Sequence, residues 1–161
     1  MGKKAAKQPG TVATNRKARH DYLVLDTYEA GVALVGTEVK SLRLGRASLT
    51  DAFATIDDGE VWLRGLHIAE YDYGTWTNHP PRRVRKLLLH RREIDKLQLK
   101  VNDPGLSLVP LSMYFSGGRV KVELGLVRGK KAWDKRAAQA DRDAQREIAR
   151  AFSDHFKGRR R

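Results

Sequence analysis

Positively charged side chains are the most distinctive chemical feature of this sequence, and they concentrate in three segments. These segments are residues 1–19, the run Arg82-Arg83-Val84-Arg85-Lys86 and residues 130–161. In the whole chain, 32 Lys and Arg residues oppose 19 Asp and Glu residues, which gives a formal net charge of +13. Cationic side chains at this density neutralise phosphates and release the counterions that surround a nucleic acid. The composition therefore predicts a polyanionic partner.

A nucleic acid is a better partner than a membrane surface. The sequence has no long apolar run, no signal-peptide pattern and no surface helix rich in large apolar residues. Cysteine is absent, which removes disulfides, Cys-ligated zinc and thiol nucleophiles. We therefore expect a cytoplasmic protein that binds nucleic acid and has no membrane partner.

Candidate catalytic residues are few. The five histidines show no metal-ligand spacing. Asp26 followed by Glu38-Val39-Lys40 resembles the acid…Glu-x-Lys pattern of metal-dependent nucleases, in which carboxylates hold the metal. That pattern needs Glu and Lys on one strand, whereas here both lie in a segment with a helical pattern, so they diverge. We expect no catalytic residue, no metal and no cofactor, with a metal nuclease as an alternative to be tested.

Aromatic side chains are concentrated between Glu70 and Pro81. Tyr71, Tyr73, Trp76 and His79 occur there without helical or strand periodicity, which predicts a long loop. Such rings stack on unpaired bases, or they plug the mouth of a barrel. We expect a division of these roles, with at least one ring stacking.

Short strands and tight turns have to position these residues. Alternating or β-branched apolar residues predict strands that include Tyr22–Tyr28, Val32–Val35, Phe53–Ile56, Val61–Ile68 and Val120–Leu126. Thr37 is the predicted N-cap of a helix that Gly45 ends, and a second helix is predicted from about Arg92 to Val101. Pro110 predicts an edge position or a bulge. The pattern is typical of a mainly β fold, a small closed or partly closed antiparallel barrel of the oligonucleotide-binding (OB) type with two or three short helices.

The composition of the sequence changes after Gly129. Residues 130–161 hold eleven basic and five acidic residues, are rich in Ala and carry few large apolar side chains. Because Ala favours a helix but buries little area, we expect a helix that is weak alone and ordered against a polyanion. We therefore predict a flexible basic arm over residues 1–19, the barrel over residues 20–128, and a basic, conditionally helical tail over residues 129–161.

Four segments resemble, in the same order, segments of a known family. They are Gly36-Thr37-Glu38-Val39-Lys40-Ser41-Leu42-Arg43, Arg85-Lys86-Leu87-Leu88-Leu89-His90, Val120-Lys121-Val122-Glu123-Leu124-Gly125 and Gly129-Lys130-Lys131-Ala132-Trp133-Asp134-Lys135-Arg136. In these segments the chain resembles the SsrA-binding protein family, also called small protein B. The resemblance runs from about Asn15 to at least Arg136.

The resemblance implies a role in bacterial trans-translation. Members of the family bind the tRNA-like domain of transfer-messenger RNA (tmRNA) and escort its alanyl form to stalled ribosomes. The barrel substitutes for a missing anticodon arm, and the tail enters the vacant messenger channel near the decoding centre of the small subunit. The implied partners are tmRNA, the ribosome and, indirectly through alanyl-tmRNA, elongation factor Tu. We expect a monomer that is not an enzyme, with a generic single-stranded RNA-binding or RNA-chaperone barrel as the alternative.

The resemblance also implies which residues contact RNA. Glu38 is expected to form hydrogen bonds with bases or ribose, Leu88 to supply an apolar contact and His90 to donate to RNA. The expected RNA-binding set is Lys17, Glu38, Lys40, Arg82, Arg83, Arg85, Lys86, Leu88 and His90. In the tail, Trp133 is expected to stack on ribosomal RNA, with Ile148 and Phe152 as anchors in the channel. The expected tail set is Gly129, Lys130, Lys131, Trp133, Asp134, Lys135, Arg136, Ile148 and Phe152.

Overall fold

A computed structural model of the chain describes residues 10–74, 76, 78–130 and 132–158. At residues 132–135, 137–138 and 156–158 the description covers the backbone alone. The described residues form nine strands and four helices, in the order β1 (Thr11–Thr14), α1 (Arg16–Asp21), β2 (Tyr22–Val32), α2 (Gly36–Arg43), β3 (Ala47–Ser48), β4 (Phe53–Asp57), β5 (Glu60–Arg64), β6 (His67–Ile68), β7 (Arg85–Leu88), α3 (Arg91–Val101), β8 (Leu106–Ser116), β9 (Arg119–Gly129) and α4 (Ala132–Gly158).

The larger sheet is a ring of antiparallel strands. Its strand order is β1-β8-β4-β5-β7-β2-β9, and β8 also pairs with β9, so that six strands close on themselves while β1 adds to β8. β9 pairs with β2 and β8 along most of its length, but β4 joins β8 through one residue pair. β2 joins β7 through only two pairs, Gly31–Leu88 and Val32–Leu87. The ring is therefore partly closed, and the predicted mainly β antiparallel barrel is confirmed.

The apolar core fills the inside of this ring. β9 alternates as its sequence predicts, since Val120, Val122 and Leu124 are buried while Lys121 and Glu123 are half-buried on the outer face. α3 contributes its buried residues to the same core cluster. Each fully buried aliphatic side chain of this kind stabilises the fold by about 1.5–3 kcal/mol. Apolar burial inside the barrel therefore stabilises the fold, and the outer face of the barrel is available for polar side chains.

β2 differs in detail from its sequence pattern, whereas β8 has the irregularity that its proline predicts. β2 is one strand, Tyr22–Val32, and not two strands separated near Gly31, because residues 29–31 continue the ladder with β9. The register of β2 shifts between Val24 and Asp26. In β8 the register shifts between Pro110 and Ser112, so the bulge predicted from the proline is confirmed.

Residues 11–21 belong to the barrel unit, although the basic composition of residues 1–19 predicts a flexible arm. β1 pairs with β8, and Asn15 then caps α1 by accepting a hydrogen bond from the Ala18 amide at 3.0 Å. The Asn15 amide nitrogen also donates to the backbone oxygens of Leu49 at 3.1 Å and Pro110 at 3.0 Å. Composition missed this because the cationic side chains of α1 are exposed while Ala18 is buried. Residues 1–9 lie outside the described part of the chain.

The cap of α2 also differs from the prediction. Val35 occupies the N-cap position, and its amide donates to Glu38 Oε1 at 3.0 Å. Thr37, the predicted cap, instead has its hydroxyl 2.9 Å from Nδ1 of His79. The Glu38 carboxylate therefore accepts the hydrogen bond of the N-cap amide at the start of α2. The Thr37 hydroxyl is left to contact His79, which lies between β6 and β7.

Two glycines share a left-handed backbone conformation, but only one of them also lacks space for a side chain. Gly65, between β5 and β6, has φ +75°, and Gly45, which follows α2, has φ +72°. A Cβ atom on Gly65 would lie 2.4 Å from the backbone oxygen of Asp51, whereas nothing lies within 4 Å of one on Gly45. Gly45→Ala should therefore lower the free energy of unfolding by about 1–2 kcal/mol. Gly65→Ala should lower it by a further ~1–3 kcal/mol, because the backbone of Asp51 must move. Urea unfolding measures both losses, and equal losses would contradict this account.

Candidate nucleic-acid interface

A surface groove lies where β7 ends and α3 begins. Its volume is about 600 Å³, and its lining includes Lys86 and Leu88 from β7 together with His90 and Arg91 at the start of α3. The alternation of β7 explains the placement, since Arg85 and Leu87 are buried while Lys86 and Leu88 lie on the outer face. The groove thus brings together three members of the predicted RNA-binding set, Lys86, Leu88 and His90.

Leu88 is the apolar element of this groove. Its side chain is 53% exposed, and its Cβ would lie 3.3 Å from a Cβ placed on its partner Gly31 in β2. Because Gly31 carries no side chain, the leucine lies close over the backbone of β2. An exposed leucine flanked by charged groups offers an apolar surface that a ribose or a base could cover.

Two groove residues from neighbouring strands were not predicted from the sequence. Glu29 of β2 and Lys121 of β9 line the groove, with Nζ of Lys121 4.0 Å from Oε1 of Glu29. The hydroxyl of Tyr114 donates to Oε2 of Glu29 at 2.5 Å. Burial, and then the Glu29 carboxylate, raise the pKa of Tyr114, so this phenol stays a donor at neutral pH. Glu29 is therefore held in place from two sides.

Glu29 and Lys121 lie on strands that are far apart in the sequence, and the pairing register of these strands brings the two residues together. Glu29 pairs with Glu123 and Gly31 with Lys121 in the β2–β9 ladder, which makes Glu29 and Lys121 diagonal neighbours. The outward position of Lys121 could be read from its alternation with Val120 and Val122. No local pattern reports which residue of β2 faces it.

Glu38 and Arg85, both expected to contact RNA, are instead buried. Each side chain is 0% exposed, and Nε of Arg85 donates to Oε2 of Glu38. Nη1 of Arg85 also donates to the backbone oxygens of Leu66 at 2.7 Å and Arg83 at 3.0 Å, and Nη2 donates to that of Pro81 at 3.2 Å. The expectation of direct RNA contacts is therefore corrected for both residues. Their charges hold the fold together beneath the surface.

The Glu38 carboxylate is fully engaged within the protein. Oε1 accepts from Nη2 of Arg83 at 2.6 Å as well as from the Val35 amide. Burial raises the pKa of Glu38, but the hydrogen bonds from Arg83, Val35 and Arg85 together lower it by more, so that the pKa lies below its ordinary value of 4.5. Burial lowers the pKa of Arg85, which Glu38 partly offsets. The group is therefore a carboxylate between two guanidinium ions at neutral pH.

The remaining predicted cations lie outside the groove lining. Arg82 and Arg83 line a shallow cavity of about 500 Å³ with His67. Lys40 of α2 lies 5.5 Å from the ring centroid of Tyr71. Lys17 of α1 lines a separate cavity of about 390 Å³. The predicted set is thus distributed over several surfaces of the barrel unit.

The tail forms a separate unit. The described residues form two compact units, and the boundary follows Gly129, the last residue of β9. α4 occupies most of the second unit, which begins at Lys130. Arg136 is exposed, and Ile148 and Phe152 are 57% and 63% exposed on one face of the helix. That the helix orders only against a polyanion stays a prediction. Lys131 and the side chains of Trp133, Asp134 and Lys135 lie outside the described part of the chain.

The nuclease alternative lacks the arrangement that it requires. Glu38 and Lys40 lie on a helix and diverge, with Glu38 buried and Lys40 exposed. Both oxygens of Glu38 are occupied by donors, and Asp26 binds Tyr28 and Lys100 on the outside of β2. Within the described ranges, no three His, Cys, Asp or Glu side chains are grouped to hold a metal ion.

Among the described residues, none of the helices combines the length and hydropathy of a membrane span.

Sequence comparisons identify close relatives of this chain. A sequence model of the family described as SmpB protein matches residues 12–154. The chain is 70% identical to the SsrA-binding protein of Mycolicibacterium vanbaalenii over 147 residues, which cover 91% of this chain and 89% of that protein. It is 65% identical to the SsrA-binding protein of Mycolicibacterium smegmatis over 157 residues, which cover 98% of each. The matched region includes the whole groove and most of α4.

The fold is likewise similar to a solved structure. A chain reported in "tmRNA-SmpB: a journey to the center of the bacterial ribosome" is 57% identical to this chain. The two superpose with a TM-score of 0.64, covering 74% of this chain and 84% of the other. Similarity at this level extends the sequence relationship to the three-dimensional fold.

The buried carboxylate makes stability depend on pH. Glu38→Gln leaves the buried guanidinium of Arg85 without its counter-charge and should lower the free energy of unfolding by about 3–5 kcal/mol at neutral pH. Because folding depresses the pKa of Glu38, its contribution is present above pH 4.5 and is lost as the pH falls through the lower folded value. The difference between wild type and variant should therefore shrink in acid, as urea unfolding followed by circular dichroism will show.

A matched control is the exposed pair of Lys86 and Glu60, whose Nζ and Oε1 atoms lie 3.0 Å apart. Glu60→Gln should cost less than about 1 kcal/mol, because solvent screens exposed ion pairs. A Glu38→Gln loss no larger than that of the control, or one independent of pH, would refute the structural role of Glu38.

Proposed function

The chain belongs to the SmpB protein family, and we propose from that premise that it binds the tRNA-like domain of tmRNA and delivers it to stalled ribosomes. The stalled peptide is then tagged and the ribosome released. The observation that carries the proposal is the groove of Glu29, Leu88, His90 and Lys121 in a chain 70% identical to an SsrA-binding protein. Its partners are accordingly tmRNA and the ribosome.

The groove offers several kinds of contact to folded RNA. Lys86, Arg91 and Lys121 supply cations at spaced positions for backbone phosphates. Leu88 supplies an apolar surface for a ribose or base, and His90 supplies ring nitrogens for hydrogen bonds. A surface that combines these contacts fits an RNA whose bases and backbone are held in a defined shape.

Acidic groups make the groove selective. Glu29 lines it beside Lys121, and Glu60 pairs with Lys86. A carboxylate repels any phosphate that lies over it, but it accepts hydrogen bonds from an amino group of a base or a ribose hydroxyl. Since Tyr114 fixes Glu29 in place, only an RNA that presents a donor at that point gains the contact. This arrangement favours one folded RNA over a generic single strand.

The tail supplies the second part of the mechanism. It carries eleven basic and five acidic residues, which suits a channel lined by ribosomal RNA. Ile148 and Phe152 act as apolar anchors on one face of α4, while Gly129, Lys130, Lys131, Asp134, Lys135 and Arg136 lead into the decoding centre. Trp133 stacks on ribosomal RNA there. The described exposure of Ile148 and Phe152 supports this role.

In this mechanism the chain positions RNA and performs no chemical step. The ribosome forms the peptide bond, and elongation factor Tu is met indirectly through alanyl-tmRNA. The protein acts in the cytoplasm as a monomer and needs no cofactor. Both carboxylate oxygens of Glu38 accept hydrogen bonds within the protein. This supports a structural role for Glu38 and not the metal-binding role that the nuclease alternative needs.

A generic single-stranded RNA-binding barrel is the second candidate. The strongly exposed rings of Tyr73 and Trp76 favour it. Competition between the tRNA-like domain and an unstructured RNA of equal length separates the two candidates. The proposed function expects preference for the folded domain, whereas a generic binder prefers neither and shows the same steep salt dependence for both.

Leu88→Ala should weaken binding to the tRNA-like domain about fivefold to tenfold, because the apolar contact of the exposed side chain is lost. Leu99→Ala is the matched control, since Leu99 lies on α3, is 76% exposed and does not line the groove. A gel-shift titration at fixed salt measures both. Equal effects of the two substitutions would place the RNA elsewhere on the barrel.

Removal of residues 130–161 should separate the two parts of the mechanism. Because the barrel unit ends at Gly129, the shortened chain keeps the complete barrel and its groove. Its affinity for the tRNA-like domain should therefore stay close to that of the wild type. Peptide tagging in a reconstituted translation system should be lost, because nothing fills the messenger channel. Tagging at the wild-type rate by the truncated chain would refute the role of the tail.

A further inference from the structure

The segment between β6 and β7 displays two aromatic rings that the groove does not use. Tyr73 is 84% exposed and Trp76 is 91% exposed, the two largest values among the exposed apolar and aromatic side chains of the described residues. Neither residue lines the groove. Exposure of an indole to this extent leaves a large apolar surface in water, which a partner could cover.

Side-chain hydrogen bonds hold the base of this loop. Nδ2 of Asn78 donates to the backbone oxygens of Tyr71 at 2.8 Å and Gly74 at 2.9 Å, while its Oδ1 accepts from the Tyr71 amide at 3.2 Å. The next residue, His79, is buried with Nε2 3.0 Å from the backbone oxygen of Ile68. His79 is therefore excluded from the stacking role that the sequence suggested for it. It ties the loop to the barrel.

Cations lie beside the same loop. Lys40 lies 5.5 Å from the centroid of the Tyr71 ring, and the Tyr71 and Tyr73 rings meet edge to face with centroids 5.6 Å apart. Nη1 of Arg46 lies 2.9 Å from Oδ2 of Asp72. Exposed rings next to cations form the combination that binds single-stranded nucleic acid, because bases stack while phosphates approach the charges.

We propose that Tyr73 and Trp76 form a second RNA site, which stacks unpaired bases of single-stranded RNA while Lys40 contacts the adjoining phosphate. Because the Asn78 and His79 contacts tie down the base of the loop, part of the entropic cost of ordering it is removed before binding. The site reads no sequence, since every base has a π face. It extends the proposed function from folded RNA to an unpaired strand.

Substitution of Trp76 in the full-length chain tests this site with fluorescently labelled oligoadenylate as the probe. Trp76→Leu keeps apolar area but removes the ring, and it should weaken oligoadenylate binding about tenfold. Trp76→Phe keeps a ring and should stay within about threefold of wild type. Neither substitution should alter the circular dichroism spectrum, because the side chain is 91% exposed.

Two controls make the result specific. The duplex of oligoadenylate with oligouridylate offers the same charges without free bases, so Trp76→Leu should leave its affinity unchanged. Leu99→Ala, which removes an exposed side chain outside both the groove and the loop, should leave oligoadenylate binding unchanged. The separate titration of Leu88→Ala with the tRNA-like domain keeps failure of the groove distinct from failure of this site. Unchanged oligoadenylate affinity in Trp76→Leu, equal loss with the duplex, or equal loss in Trp76→Phe would each overturn the proposal. The first outcome would leave the loop as a contact for protein.

Discussion

The buried carboxylate of Glu38 between two arginines is the interaction on which the groove side of the barrel depends. It links α2, which carries Glu38, to the start of β7, which carries Arg85. Arg85 also donates to the backbone oxygen of Leu66, so one guanidinium connects β7 with two segments far from it in the chain. Removing such charges from water is costly, and the hydrogen bonds to both Glu38 oxygens and from Arg85 to three backbone oxygens offset that cost, although the buried Nε of Arg83 has no partner. A neutral residue at either position would leave several of these groups without a partner.

This interaction also determines which side chains reach the surface of β7. With Arg85 directed inward, the two-residue period of a strand places Leu87 inside and Lys86 and Leu88 outside. The short pairing of β7 with Gly31 of β2 then leaves room for the Leu88 side chain. The groove is thus a consequence of strand alternation that begins from one buried charge. The same arginine that a charge count assigns to phosphate binding is the residue that positions Lys86, the lysine proposed to contact phosphate.

The sequence predicted the features that local patterns encode. The barrel class, the Pro110 bulge, the alternation of β9 and the helix of Glu38 and Lys40 all follow from periodicity and turn chemistry. What could not be predicted depends on contacts between distant segments. A run of four cations does not reveal that Arg85 faces the core, and no local pattern places Glu29 beside Lys121. The cationic composition of residues 11–19 predicts a flexible arm, whereas the buried amide of Asn15 ties these residues to the barrel.

The two-pair junction between β2 and β7 has a mechanical consequence. The ladder of β2 with β9 runs over nine residue pairs, whereas β2 meets β7 through the pairs Gly31–Leu88 and Val32–Leu87 and one further hydrogen bond from the Ala33 amide to the Lys86 backbone oxygen at 3.0 Å. Few cross-strand hydrogen bonds mean a low free energy of local opening, so we expect this junction to open more readily than the β2–β9 ladder. Leu88, at this junction, is also a wall of the groove. The ring has a still shorter junction, the single pair of β4 with β8, but that junction contributes no residue to the groove lining. Opening of the β2–β7 junction would instead move Leu88, and with it the shape of the proposed RNA groove.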